Sequence, residues 1–483
     1  MSSVMVLAMV SVALALSYSM LRSQATRTQI HQNMDLRAAA RHAALTGLSV
    51  GLGRMHRSQW AGAESTLSGQ VSGNASYTVQ YVTGDASLSP GGAGDSDWPY
   101  RVTLEVTGTA FNPAHPDRST TSLAQAVVQF VPRQLSPEPA PWPAMQAYIV
   151  YQTGIAKTML QIPCRIEGLV RLQGKLDLCT SHPSPDAARR RYLSDLKLMS
   201  QNGYPDYRPL TGPVMMPTAS SDAATASLLT TVLGVSVQNI AVSATPGWVF
   251  PGSLASYQLF PGGATYAVPS LPSVLGNVTY QPDPRTNPAG LFYCSGDLQL
   301  GNNVSITGSL VVSGALTLNG TNIVVQSFAL PTIEGSSLGV HLPAAVVQQQ
   351  VRILDGVKAV VRGTVASWQE FVVLAGSQNT SFDLRGRVIA PEMHVQSRTE
   401  WNLGVVRNTW WTSFQGQQGL PDGQHYFPVW LQGLGLPPTP LLTFKPEAGP
   451  LAAHWRFHTD PVYVADPSDA GLRWQLVSVD LSP

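Results

Sequence analysis

The sequence predicts a mainly β protein with a long N-terminal α-helix: a small α+β head followed by an interrupted β-helix (solenoid) domain. Three observations carry this. An uncharged apolar run opens the chain at Val4–Leu21 and flows into an Ala-rich helical stretch. Three segments with period-two alternation follow, "ASYTVQYV", "YRVTLEV" and "AQAVVQFV". Beyond them a six-residue unit repeats from Gly296 to Gly320, "GDLQLGNNVSITGSLVVSGALTLNG".

Composition sets the frame. A chain of 483 residues exceeds what a single core usually supports, so two or three domains are expected. Charged residues are only 12%, about half the usual share. With 42 Gly and 37 Pro the chain favours short strands and turns. A net charge of +1 gives no bulk basicity, and nucleic acid is not an expected partner. The three cysteines, Cys164, Cys179 and Cys294, form no CxxC, no zinc spacing and no disulfide framework. No cofactor is expected.

Residues 1–58 form the first unit, a transmembrane and then amphipathic helix. The apolar run would be about 27 Å long as a helix, close to the hydrocarbon thickness of a bilayer. Val4, Leu7, Val10, Leu14, Leu16 and Leu21 are its membrane or assembly residues. Past Arg22, Ile30, Met34, Ala38, Leu45, Leu48, Leu52 and Met55 fall near helical spacing, and Gly47, Gly51 and Gly53 weaken the helix towards its end. Three readings stand side by side: a signal peptide cleaved after Ala13-Leu14-Ala15, a simple anchor, and a spanning helix that continues into a soluble head. The basic n-region of a signal peptide is missing. All six arginines of this unit follow the apolar run, which by the positive-inside rule alone would hold the next domain in the cytoplasm.

Residues 59–131 form the second unit, a small antiparallel β head. The apolar run, the Ala-rich helix "LRAAARHAAL" and these strands together resemble the type IV pilins, especially the larger minor pilins and pseudopilins. That resemblance implies an envelope protein anchored in a bacterial inner membrane and facing the periplasm or cell surface. It also implies pilin or pseudopilin subunits as partners of the N-terminal helix. The chain departs from the family in two ways. No basic stretch ending in glycine precedes the apolar run, and the first acidic residue is Asp35 where the family carries a glutamate near the start of the helix. A tip-located or membrane-held relative is therefore expected, not a major pilin.

"PRQLSPEPAPWP", residues 132–143, reads as a semi-rigid linker. Residues 144–400 are the expected solenoid, with a helical insertion near 184–235. The hexad already runs through "CRIEGLVRLQGKLDLC". Its third and fifth positions are Val170 and Leu172, then Leu176 and Leu178. In the second block they are Leu298 and Leu300, Val304 and Ile306, Leu310 and Val312, Leu316 and Leu318. Cys164 and Cys294 occupy the same slots, so core packing is their expected role. Positions three and five of a strand share one face. The fourth points away: Arg171, Asp177, Gln299, Ser305 and Thr317, with Val311 the exception. Glycine or asparagine at the first position suits a corner. Three six-residue sides give about eighteen residues per coil. The unit slips after Gly320, where Asn322 takes an apolar slot, and resumes with Phe328 and Leu330. A weaker block then runs through Ala359/Val361, Val365/Ser367 and Phe371/Val373 to Val388 and Met393. The alternative is an antiparallel meander; glycines six apart with no long turn favour the solenoid. The ladder resembles the β-helix of bactofilins, bacterial polymer-forming solenoids. Residues 401–483 are an aromatic-rich C-terminal β region.

Catalytic motifs are few. "GSSLG" at 335–339 matches G-x-S-x-G around Ser337, but it lacks the flanking strand and helix that a nucleophile elbow needs. His454, His458 and Asp460 alternate with aromatics, as a β-strand does. Asp95 and Asp97 could form a calcium loop, although a solvated turn suffices. Arg189–Arg191 reads as a solvated helix face, and Asn303 and Asn319, which head sequons as Asn379 does, as hexad corners. No carboxylate cluster repeats at coil spacing, so no catalytic, cofactor-binding or metal residue is assigned. The expected function is a non-enzymatic envelope or pilus-associated structural protein. A carbohydrate-binding or carbohydrate-active β-helix, with a surface glycan as partner, is the alternative.

Overall fold

The computed structural model describes residues 2–57, 60–130, 147–160, 164–178, 206, 208–217, 223–242, 250, 254–260, 262–329, 342–375, 380–397, 442–446 and 474–481, with scattered positions between 190 and 201. The protein is mainly β with one long N-terminal helix.

Helix α1 spans Ser2–Met55, about 80 Å at 1.5 Å per residue. Its last third lies on an antiparallel sheet of β1 (Thr66–Ser72), β2 (Ala75–Thr83), β3 (Arg101–Asn112) and β4 (His115–Phe130). Alternation along these strands points Val79, Tyr81, Leu104, Val106, Ala126 and Val128 at Ala44, Leu48 and Met55 of α1. The buried helix stripe is Ala40, Ala43, Ala44, Leu48 and Met55. Leu48 and Met55 bear out the amphipathic face read from the sequence, with Leu52 half-buried beside them, and the rest of that face is corrected. Ile30, Met34 and Leu45 are exposed, because the sheet is reached only near Leu36 and the approach is too close for large side chains. A Cβ on Gly108 of β3 would stand 2.1 Å from the Ala40 carbonyl oxygen. A Cβ on Gly47 would stand 2.8 Å from the Tyr77 side chain, so Gly47 is a contact residue and not a weak point of the helix.

The head sheet has a fifth strand, and it comes from the far end of the chain. Trp474–Leu481 pairs antiparallel with β4. Everything between Phe130 and Trp474 is thus inserted between two neighbouring strands of the head.

That insertion is a stack of short parallel strands on three faces. On the first, 291–294 pairs with 309–312, which pairs with 345–347. On the second, 298–300, 316–318, 351–353, 370–375 and 392–397 follow in order. On the third, 278–280, 304–307 and 323–326 lead to Lys358–Ser367 and Ser381–Ala390. These two long strands turn from the third face to the first at Gly363 (φ 110°) and Gly386 (φ 146°), values closed to most side chains. Parallel pairing rules out the antiparallel meander. Early partners stand eighteen residues apart, Phe292 on Leu310 and Leu298 on Leu316.

The inward residues at the third and fifth positions all lie in one buried apolar cluster: Val170, Leu172, Leu176, Leu178, Leu298, Leu300, Val304, Ile306, Leu310, Val312, Leu316 and Leu318. Cys164 and Cys294 sit in it as free thiols, and burial pushes the Cys164 thiol up. The slip after Gly320 is one extra corner residue. Asn322 adopts φ 60° above Asn303 (φ 55°) and Asn277 (φ 54°), each amide donating to the next at 3.1 and 2.8 Å. The inward pair is therefore Ile323 and Val325, and Phe328 packs outside the stack, against the expected phase.

Stacking order departs from chain order once. Strand 388–390 pairs with 150–152, 392–397 with 158–160, and 442–445 with 164–166. The sequence-early block, "CRIEGLVRLQGKLDLC", continues the pile where the sequence-late block ends. Strands 214–216 and 237–239 extend it further. The first lies within the segment read as a helical insertion and the second just past it; Ala223–Ser227 and Leu228–Leu233 of that segment are helical. The linker 132–143, Cys179, Leu330 and most of residues 401–483 lie outside the described residues.

Candidate functional site: the apolar helix and the outer faces

Two thirds of α1 projects beyond the head. Val4, Leu7, Val10, Leu14, Leu16 and Leu21 are 53–75% exposed, and the most apolar eighteen-residue window has a mean hydropathy of 2.2 with none of it buried. A fully exposed Leu or Val forfeits roughly 1.5–3 kcal/mol of burial free energy. A row of them without a charge demands an apolar surrounding. Ser11 and Ser19 donate to the carbonyls of Leu7 and Leu16, so their hydroxyls are satisfied within the helix, as a lipid medium requires. The helix is long and apolar enough to cross a membrane.

The outer face of the first ladder is covered. Val311, Val346, Ala366 and Ile389 point outward, yet each is buried, beneath Leu254, Tyr257, Leu259, Phe260 and Tyr266. This explains why Val311 breaks the polar rule of position four. The strands Ser256–Gln258 and Thr265–Ala267 form the covering hairpin. Tyr257 donates to Asn287 Oδ1 at 2.9 Å.

The same cover joins the stack to the head. Phe130 stacks on Phe260 with centroids 4.4 Å apart, and Trp474 meets Phe260 and Trp60 edge-on at 5.6 and 5.3 Å. The Ala63 amide donates to the Gly262 carbonyl at 2.8 Å. Arg285 donates to the Leu88 carbonyl at 2.7 Å, lies over Trp98 and reaches Asp95 at 3.5 Å.

The candidate chemistry resolves as follows. Asp95 accepts from the Gly91 amide and faces Arg285, while Asp97 faces Arg101, so both carboxylates of the calcium loop considered from sequence have cationic partners within the protein. Asp177 pairs with Lys157, and Arg171 lies over Tyr151. Asn303 is a corner residue. Arg190 is exposed. Ser337, His454, His458, Asp460 and Asn379 lie outside the described residues. A void within the stack, lined by Leu316, Leu318, Val351 and Phe371, has a volume of about 10 Å³, room for one water at most. The interior is core.

One group escaped the sequence reading. Glu370, Glu392 and His394 each place a ligand-capable atom within 4.8 Å of the others on the outer side of the second face. The hexad phase is broken there, and their proximity depends on a register that long coils set.

No family model matches the sequence, and a search of curated proteins finds no match. Among solved structures, the competence-associated pilin ComZ from Thermus thermophilus aligns over 92% of this chain and 98% of its own at 11% identity, with a TM-score of 0.24. A superposition of that quality does not establish a shared fold.

Proposed function

We propose that this chain is a membrane-anchored, non-enzymatic envelope protein of the minor-pilin type that displays a β-solenoid. The observation that carries the reading is the exposed apolar half of α1, rigidly continuous with a helix that is buried on the head sheet. Such a helix packs sideways against other apolar helices in a bilayer by close contact of small and branched residues. The parallel registers on three faces, at about eighteen residues per coil, support the solenoid. At roughly 4.8 Å per rung the stack is about 40 Å tall. The aromatic contacts between Phe130, Trp474 and Phe260 fix its orientation on the head. The mechanism is presentation: the helix inserts among partner helices, and the head carries the stack at a set angle to the membrane.

A cysteine introduced as Leu14→Cys and labelled with a thiol-reactive photo-crosslinker tests the assembly role in membranes of producing cells. Crosslinks to the N-terminal helix of a second, pilin-like subunit are expected. Exclusive recovery of uncrosslinked chain, with the protein folded in the membrane, would contradict it.

A further inference from the structure

Strands 370–375 and 392–397 are neighbouring parallel rungs on the second face, and Glu370 and Glu392 are register partners across them. His394, two residues beyond Glu392, is on the same side of the strand, and its Nε2 is 3.1 Å from Glu392 Oε2. Two carboxylates facing each other across adjacent strands repel. Among the described residues no lysine or arginine forms an ion pair with either, and His394 is the one basic group in contact. The His394 ring is 14% exposed, and its Nδ1 is buried with no hydrogen-bond partner. A buried polar atom left unpaired is destabilising. Unbalanced negative charge and an imidazole with its Nε2 beside the carboxylates thus occur in one place, on strands held by continuous backbone ladders.

We propose that Glu370, Glu392 and His394 bind one divalent transition-metal cation of the zinc or manganese class. One imidazole and two carboxylates, with no thiolate, suit such an ion, and water completes its shell. The ion neutralises the carboxylate pair and takes a ring-nitrogen lone pair. Donor atoms around one ion stand about 3–4 Å apart, so the glutamate side chains close by roughly an ångström on loading. The half-exposed Glu392 has room for this. Position gives the site a purpose. Strand 392–397 is the rung on which the sequence-early block stacks, His394 lying against Met159. The ion clamps the rungs beside that seam.

The full chain in detergent, stripped with a chelator, is the test material. Zn²⁺ or Mn²⁺ is added and removed by desalting, and bound metal and melting temperature are read on chain with native circular dichroism. The wild type should retain one equivalent and melt higher. Glu370→Gln/Glu392→Gln and, separately, His394→Gln should lose at least tenfold in affinity, while Glu105→Gln in the head should not. Replacing the glutamates relieves repulsion, so the stripped double variant should melt no lower than the stripped wild type. Absence of retained metal in the wild type, or equal retention in the double variant, would overturn the proposal.

Discussion

Asp85 shows how one side chain ties the head together. Burial alone would raise its carboxyl, but hydrogen bonds from Ser87 and the Arg101 guanidinium outweigh that and hold it below the usual carboxylate range. A depressed folded value means the stabilisation is complete above the unfolded value near 3.9 and is lost as pH falls through the folded one. Asp85→Asn should therefore destabilise the protein at pH 7, towards the low end of the ~3–5 kcal/mol for breaking a buried pair, since Asp97 still faces Arg101. In denaturant titrations its deficit should shrink on acidification; a deficit constant down to pH 3 would refute the assignment. Val311 gives a second comparison. Val311→Asp places an unpaired charge beneath the hairpin and should cost several kcal/mol, whereas Thr317→Asp, at a half-exposed outward position of the second face, should change stability by less than about 0.5 kcal/mol. Equal effects in thermal melts would show that the first face is not covered. The inward residues were legible because a six-residue period fixes which side chains share a face. Glu370 and His394 were not, because their meeting depends on pairing between rungs whose separation the loops decide.

At the scale of elements, the contact between α1 and the sheet depends on missing side chains. Gly108→Val would drive two methyls into the Ala40 carbonyl and the Ala44 amide, and should cost about 1–3 kcal/mol by forcing the helix away. Gly53→Ala, with open space around it, should be neutral or slightly stabilising. Differential melting of the two variants checks this directly. Sequence reading found the helix and placed Leu48 and Met55 correctly on its buried face, but it also put Ile30, Met34 and Leu45 there and missed the alanines Ala40, Ala43 and Ala44 that the close approach selects. The C-terminal strand was harder still. Trp474–Leu481 alternates like many edge strands, and nothing local reveals that its partner is β4. Trp474→Ala should remove the ring that links Trp60, Phe130 and Phe260, costing about 3–5 kcal/mol and loosening the stack from the head. Faster proteolysis between the two should accompany the loss in stability.

The whole molecule is one insertion inside another order. The head is closed by both ends of its chain, and the stack is built with its first block last. A linear reading recovers the blocks but cannot recover that order, since parallel rungs with the same inward pattern carry no address in their periodicity. What emerges is a stack joined to a head, a head gripped by a helix, and a long apolar segment that the other described residues leave uncovered. The central claim is that this segment holds the protein in a bilayer, and membrane fractionation with alkaline carbonate extraction tests it most directly. The full chain should sediment with membranes and resist carbonate, while deletion of residues 4–21 should release a folded protein with unchanged near-ultraviolet circular dichroism. Recovery of the full chain as a soluble, folded monomer would contradict the account.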